Sequence, residues 1–337
     1  MCLCGKSSTN DQTILWVVTF GLVCLGFSSE LDSFNLWYHP LYTDGIHEEA
    51  RFPRERYQKL LERLEKSKQC QNIRLRMPKS ISRESLLLAH NSDYVDGFLS
   101  GTLSEKEMRR IGLTPWTPKM IERTLRLTGG AVEATIYAVK NGGVSGNMAG
   151  GTHHAHRDYG SGYCVFNDLA ISALYAIENL GINRVAILDL DVHQGDGTAT
   201  ILSDEERTRT ISVHCATNFP FRKSVSDFDL PVEPLAGDED YLEIVRDSLE
   251  ICLDFEPDLV LYQAGVDGLE TDGLGKLSVS REGMMKRNRY VFEIMLENRI
   301  PTVVFMGGGY SKPIDHTLDA FYDLFTDAAE WNKRWKQ

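Results

Sequence analysis

The sequence contains no C-x-x-C pair, although it carries seven cysteines: Cys2, Cys4, Cys24, Cys70, Cys164, Cys215 and Cys252. An odd number scattered along the chain indicates neither a disulfide framework nor a cysteine-built zinc site, and a reducing compartment fits best. Basic side chains are not in excess either. The 36 Lys and Arg stand against 48 Asp and Glu, giving a net charge of −12 and a pI of about 5.3. That balance argues against a protein that holds nucleic acid by neutralising phosphates. It suits a cationic substrate or partner, and is also a common route to solubility. No linker, low-complexity stretch or internal repeat divides the 337 residues, so the chain reads as one large domain.

Long apolar runs are scarce. Ile14–Phe27 is almost wholly apolar, yet it is too short for a confident membrane span and has the length of a signal-peptide core. Its basic flank is poor, with only Lys6, offset by Asp11. Three readings stand: a targeting or anchor segment, a buried first element, or a start site set too far upstream. Membrane association is expected only if this segment is retained. Residues 1–32 are therefore set apart, and 33–337 are read as the folded unit.

Within that unit, strands and helices alternate. Strands are expected at Asn35–Tyr42, Asn72–Met77, Val185–Leu188, Arg209–His214, Asp258–Gln263 and Thr302–Met306. Helices are expected at Pro53–Lys66, Ser82–His90, Tyr94–Leu99, Asp168–Leu180, Asp240–Phe255, Ser280–Asn298 and Leu318–Ala329. A further helix, Thr117–Lys140, is expected to be interrupted near Gly129-Gly130, and Ala216–Leu235 reads as a long functional loop. The alternation predicts a doubly wound α/β domain.

The chain is organised around Arg184–Gly197, R-V-A-I-L-D-L-D-V-H-Q-G-D-G. Its apolar first half reads as a strand buried on both faces of a parallel sheet. Its second half places Asp189, Asp191, His193 and Asp196 just past the strand's carboxyl end, where open α/β sheets bind ligands. Asp191 and His193 are two apart, so on an extended segment they point the same way. Other strand ends carry His153-His154, Asp267 and Tyr310. Each has a plainer reading alone: a solvated turn, a helix cap, an aromatic after a tight glycine turn. Their coincidence at strand ends favours a site.

Asp191, His193 and Asp267 form an N/O set of three with a fourth position open, the pattern of a catalytic zinc site, and iron(II) suits it too. His153 and His154 supply two candidate bases, Asp189 and Asp196 two carboxylates to orient them. Tyr310 is placed to donate to a developing oxyanion. A two-manganese ureohydrolase of the arginase type would need carboxylates where this chain has Gly195 and Leu269. One metal is favoured.

At these residues the chain resembles the zinc-dependent histone deacetylases of the arginase-like fold. The motifs are G-G-T-H-H-A, G-S-G-Y-C-V-F-N-D, D-L-D-V-H-Q-G-D-G, Q-A-G-V-D and G-G-G-Y. Gln194 and the R-F-P segment at Arg51–Pro53 are similar to bacterial-type and class IV members. The resemblance implies a three-layer α/β/α architecture with a mostly parallel sheet, and a catalytic domain over 33–337. It implies Zn²⁺ on Asp191, His193 and Asp267, with His154 as general base and then acid. His153 would be its electrostatic partner, Asp189 would hold His153, Asp196 would hold His154, and Tyr310 would polarise the acyl carbonyl. Tyr163, where phenylalanine is usual, and Phe219 would wall an acyl-lysine tunnel, with Gly162 and Gly308 lining it and Leu274 near its rim. A structural potassium would sit on main-chain oxygens of Asp189, Asp191, His193, Ser212 and Val213. The acid that grips substrate backbone in class I members has no counterpart around Leu99–Trp116.

The implied function is hydrolysis of an acyl-lysine amide, with a link to chromatin regulation and a cytoplasmic or nuclear location unless residues 14–27 direct otherwise. The same chemistry on an acetylpolyamine, or a non-catalytic binding module on the same fold, are the alternatives.

Overall fold

Val185–Asp189 forms a strand because its apolar side chains are buried on both faces, as a central position in a parallel sheet requires. In the computed structural model, which describes residues 33–337, it is one of eight strands. These are β1 (Phe34–Trp37), β2 (Ile73–Arg76), β3 (Val144–Asn147), β4 (Val185–Asp189), β5 (Thr208–Cys215), β6 (Phe228–Val232), β7 (Leu259–Gln263) and β8 (Thr302–Phe305). All neighbouring pairs are parallel, in the order β2-β1-β3-β8-β7-β4-β5-β6. The expectations for residues 1–32 lie outside the described residues. Among the latter, no helix is long and apolar enough to cross a membrane.

Helices cover both faces, which makes three layers. Met120–Asn141 and Asp168–Leu180 pack on one side, and Asp238–Asp254, Arg281–Glu297 and Asp315–Trp335 on the other. Asp168–Leu180 starts where Asn167 caps it, accepting from Ala170 N at 2.9 Å, and stops at Gly181 in the left-handed region.

The structure corrects several expectations, and β3 is a strand where the sequence pattern predicts none. The first strand ends at Trp37 rather than Tyr42, and Leu41–Asp44 after Pro40 turns into a short helix. Met120–Asn141 is continuous through Gly129-Gly130. Those glycines do not break the helix; they let it approach its neighbours, because a Cβ on Gly129 would overlap the Lys79 carbonyl and one on Gly130 would crowd Tyr42 Oη and Asn147 Oδ1. The loop Ala216–Leu235 contains β6, an edge strand that tolerates Pro231 because its outer side needs no donor. Glu105–Ile111 and Asp196–Leu202 are helical, where the sequence pattern predicts no helix.

Candidate active site

The four central strands β3, β8, β7 and β4 end at one cavity of about 580 Å³, within the size range of a small-molecule site. It is lined by His153, His154, Gly162, Tyr163, Asp191, His193, Phe219, Asp267, Leu274, Gly308 and Tyr310, so most of the expected site residues converge there. Asp189 and Asp196 stand behind them. Asp189 Oδ2 lies 2.7 Å from His153 Nδ1, and Asp196 Oδ1 lies 2.7 Å from His154 Nδ1. A carboxylate only accepts, so each Nδ1 carries the proton and each Nε2 is left for the cavity.

The two imidazoles are adjacent, with ring centres 4.1 Å apart, but their surroundings drive them apart. Burial would lower His153, yet the charges of Asp189 and Asp191 outweigh it and raise its pKa to about 9. Burial also lowers His154, and the neighbouring His153 charge adds to it, giving about 4. Their surroundings thus favour the charged form of His153 and the neutral form of His154.

The candidate metal ligands come from two loops. Asp191, His193 and Asp267 are buried, and their ligand atoms lie within 4.8 Å of one another. Backbone donors hold the outer carboxylate oxygens: Gly308 N to Asp191 Oδ2 at 2.8 Å and Val192 N to Asp267 Oδ1 at 2.9 Å. The inner oxygens, Asp191 Oδ1 and Asp267 Oδ2, stand 3.0 and 3.1 Å from His193 Nδ1. Burial and then Asp191 push the Asp267 carboxyl up to about 7, while His153 and His193 outweigh burial and hold Asp191 well below the usual carboxylate range. Two anionic donors and an imidazole converging in a water-poor pocket fit a divalent cation. Glycine is required beside them, since a Cβ on Gly265 would overlap Asp191 Oδ2. Gly265→Ala is expected to lower metal affinity by about 10–100-fold with the fold retained by circular dichroism; full metal loading of the variant would contradict this packing.

Tyr310 lines the same cavity, and burial raises its pKa well above the ordinary value, so it keeps its proton as a donor. Phe219 packs edge-on against His154 at 4.9 Å, and Tyr163 lies 5.3 Å from Phe52 and 6.0 Å from Tyr310. Tyr163 holds φ of 67°, a left-handed conformation unusual for a bulky residue, right after Gly162, where a Cβ would crowd the His154 ring. Of the residues expected to hold potassium, Ser212 is paired with Asp189 across β4 and β5, and Val213, Asp191 and His193 follow in the same two segments.

Several supports are not among the expected site residues, although the Asn167-Asp168 pair ends one of the quoted motifs. Asp168 accepts from Thr152 N at 2.8 Å and Gly151 N at 3.1 Å, and Asn167 Nδ2 donates to Ala155 O at 3.0 Å, so the N-D pair clamps the histidine loop. The second oxygen of Asp196 meets His156 Nε2 at 3.2 Å. Arg56, fully inside, donates to Gly307 O at 3.0 Å and Gly309 O at 3.2 Å and fixes the loop that presents Tyr310. Asp272 accepts from Tyr310 N at 2.6 Å and Leu274 N at 2.8 Å, which ties two walls together.

The family model described as histone deacetylase domain matches residues 50–323. An uncharacterized protein of Picosynechococcus sp. is 42% identical over 298 residues, 88% of this chain and 98% of that protein. Histone deacetylase 2 of Arabidopsis thaliana is 32% identical over 70% of this chain and 63% of its own length. Acetoin utilization protein AcuC of Staphylococcus aureus is 27% identical over 77% of this chain and 75% of its own length. Among solved structures, an acetylpolyamine aminohydrolase from Burkholderia pseudomallei superposes with a TM-score of 0.73 at 18% identity, covering 87% of this chain and 98% of that one, and so shares the fold. The resemblance read from the motifs and the three-layer parallel architecture are both borne out. The chain is thus a hydrolase of the deacetylase and amidohydrolase kind, and it belongs to the histone deacetylase family.

Proposed function

We propose that this protein hydrolyses the amide of an acyl-lysine side chain, using a zinc or iron(II) ion on Asp191, His193 and Asp267. The observation that carries the reading is the pair of adjacent histidines, each on its own buried carboxylate, beside that donor set in one cavity. When bound, the ion polarises the amide carbonyl and acidifies a water to a pKa of roughly 7. Tyr163 and Phe219 hold the aliphatic lysine stem between them, with Gly162, Leu274 and Gly308 completing the wall. His154 Nε2 takes a proton as the water oxygen bonds to the acyl carbon. Tyr310 Oη donates to the carbonyl oxygen as negative charge develops there. The C–N bond then breaks, and His154 returns its proton to the leaving amine, releasing a carboxylic acid and the deacylated lysine side chain. His153, held charged by Asp189, stabilises the anionic intermediate and keeps His154 neutral. A potassium ion on the main-chain oxygens near Asp189 and Ser212 would stiffen the loop that carries the ligands.

Tyr310→Phe is expected to lower kcat by about 10²–10³-fold with metal content and KM little changed, read on an acetyl-lysine peptide. Unchanged turnover would remove Tyr310 from this role. An acetylpolyamine is the alternative substrate of the same chemistry, and turnover of N-acetylputrescine without turnover of acetyl-lysine peptides would establish it. A metal-replete protein inert to all acylated amines would point to a binding module.

A further inference from the structure

The mouth of the cavity opposes the charge of the chain. The whole sequence carries −12, yet the carboxylates lining the cavity are Asp191 and Asp267, both buried in the donor set. The cations Arg110 and Lys276 also line it, and both are exposed. Among the described residues neither is ion-paired. Arg110 lies over the Tyr159 ring at 4.3 Å, and Lys276 Nζ donates to Thr217 O at 3.0 Å. Of the acids near these cations, Asp272 is spent on backbone donors, including Leu274 N and Gly275 N at 2.8 and 2.9 Å, and Glu107, one turn from Arg110, caps its own helix by accepting from Ser104 N at 2.7 Å and Ser104 Oγ at 2.6 Å.

This rim is held in place. Asn218 donates to Leu274 O at 2.8 Å and accepts from Lys276 N at 3.0 Å, so one cation is fixed to the Phe219 loop. Tyr163 N donates to Ile111 O at 2.7 Å, which seats the end of the Arg110 helix against the tunnel wall. On the same lining two apolar side chains stand in solvent, Phe221 at 88% exposure and Leu274 at 46%. Both line the cavity, and exposed apolar surface beside charge marks a contact site.

We propose that this rim selects acylated amines carried on anionic chains, such as acyl-lysine flanked by aspartate or glutamate, and turns away polycations such as acylated polyamines. The inference rests on the deacylase reading and narrows its substrate class. An acid beside the acyl-lysine meets Arg110 or Lys276, while Phe221 and Leu274 cover the apolar part of the flanking chain. A polyamine brings like charge to the same two side chains. Each exposed pair contributes at most a few-fold and is weakened by salt. Attraction for one substrate combined with repulsion of the other multiplies the discrimination.

The test uses the metal-loaded enzyme and three peptides of equal length around one acetyl-lysine, with acidic, neutral or basic flanks, plus N-acetylputrescine. At low salt, kcat/KM for the acidic peptide is expected to exceed that for the basic one by about tenfold, with the gap narrowing at high salt. Arg110→Glu/Lys276→Glu is expected to reverse the order, the neutral peptide serving as reference. Equal rates, or preference for the basic peptide or N-acetylputrescine, would overturn the inference. Binding of the same peptides, fluorescently labelled and followed by anisotropy, reads the rim without turnover. An acidic preference in binding with no hydrolysis of any substrate would uphold the rim and overturn the deacylase reading.

Discussion

Replacing His154 by alanine is expected to lower kcat on an acetyl-lysine peptide by about 10²–10⁴-fold while the protein keeps its metal. The effect belongs to kcat because His154 acts on protons that move only in the transition state. Its Nδ1 is committed to Asp196 at 2.7 Å, which leaves Nε2 as the atom that takes the proton. His153 cannot replace it, because Asp189 and Asp191 hold that ring protonated up to about 9. The pH profile follows from the same electrostatics. Burial and the His153 charge lower His154 to about 4, and the base is lost only when it is protonated. The acid limb of kcat/KM assigned to this group therefore lies well below the ordinary histidine value of about 6.5. A variant with undiminished turnover, or with the wild-type acid limb at greatly reduced rate, would show that the base is another group.

Asp267→Asn is expected to have the other large effect, loss of bound metal and with it of turnover to background. Asparagine keeps the size and shape of the side chain but removes one of two anionic donors. The metal-free proteins should differ in the opposite direction. In the folded chain burial and Asp191 raise Asp267 from 3.8 to about 7, so between these values the folded state binds a proton more tightly than the unfolded state. The stability of metal-free wild type therefore falls as pH rises from about 4 through about 7, and above that it carries the full cost of a second buried carboxylate. The asparagine variant escapes this cost. At pH 8 it should be more stable than metal-free wild type by on the order of 2–4 kcal/mol, with the difference vanishing near pH 4. Denaturant titrations in the presence of chelator read this directly. A metal-free variant less stable than wild type at pH 8 would contradict the charge arrangement of the donor set.

The parts of the site legible in the sequence are those where chemistry and local pattern coincide. Val185–Leu188 is apolar on both faces and ends in aspartates, so strand and ligand loop are legible together. Asp168–Leu180 is legible to its limits because a capping asparagine precedes it and a glycine follows. The histidine partners Asp189 and Asp196 stand out by their place beside the ligands. What stays hidden depends on distant contacts. Arg56 reads as one more charge at the start of an amphipathic helix, yet it is buried against the carbonyls of Gly307 and Gly309 some 251 and 253 positions away. Gly129-Gly130 reads as a helix interruption because their function is to admit a neighbouring backbone. Net charge misleads in the same way: −12 describes the whole chain, whereas Arg110 and Lys276 face the cavity mouth.

The central claim, a metal-dependent deacylase working through His154, is tested most directly by one paired measurement. Wild type and His154→Ala would be stripped with chelator, reloaded with zinc or iron(II), and assayed for metal content and acetyl-lysine deacylation in the same samples. Wild-type activity is expected to disappear on stripping and to return in proportion to metal bound, near one ion per chain, while the variant binds the same metal and stays inactive. Full deacylation by stripped wild type, or by metal-loaded His154→Ala, would contradict the claim.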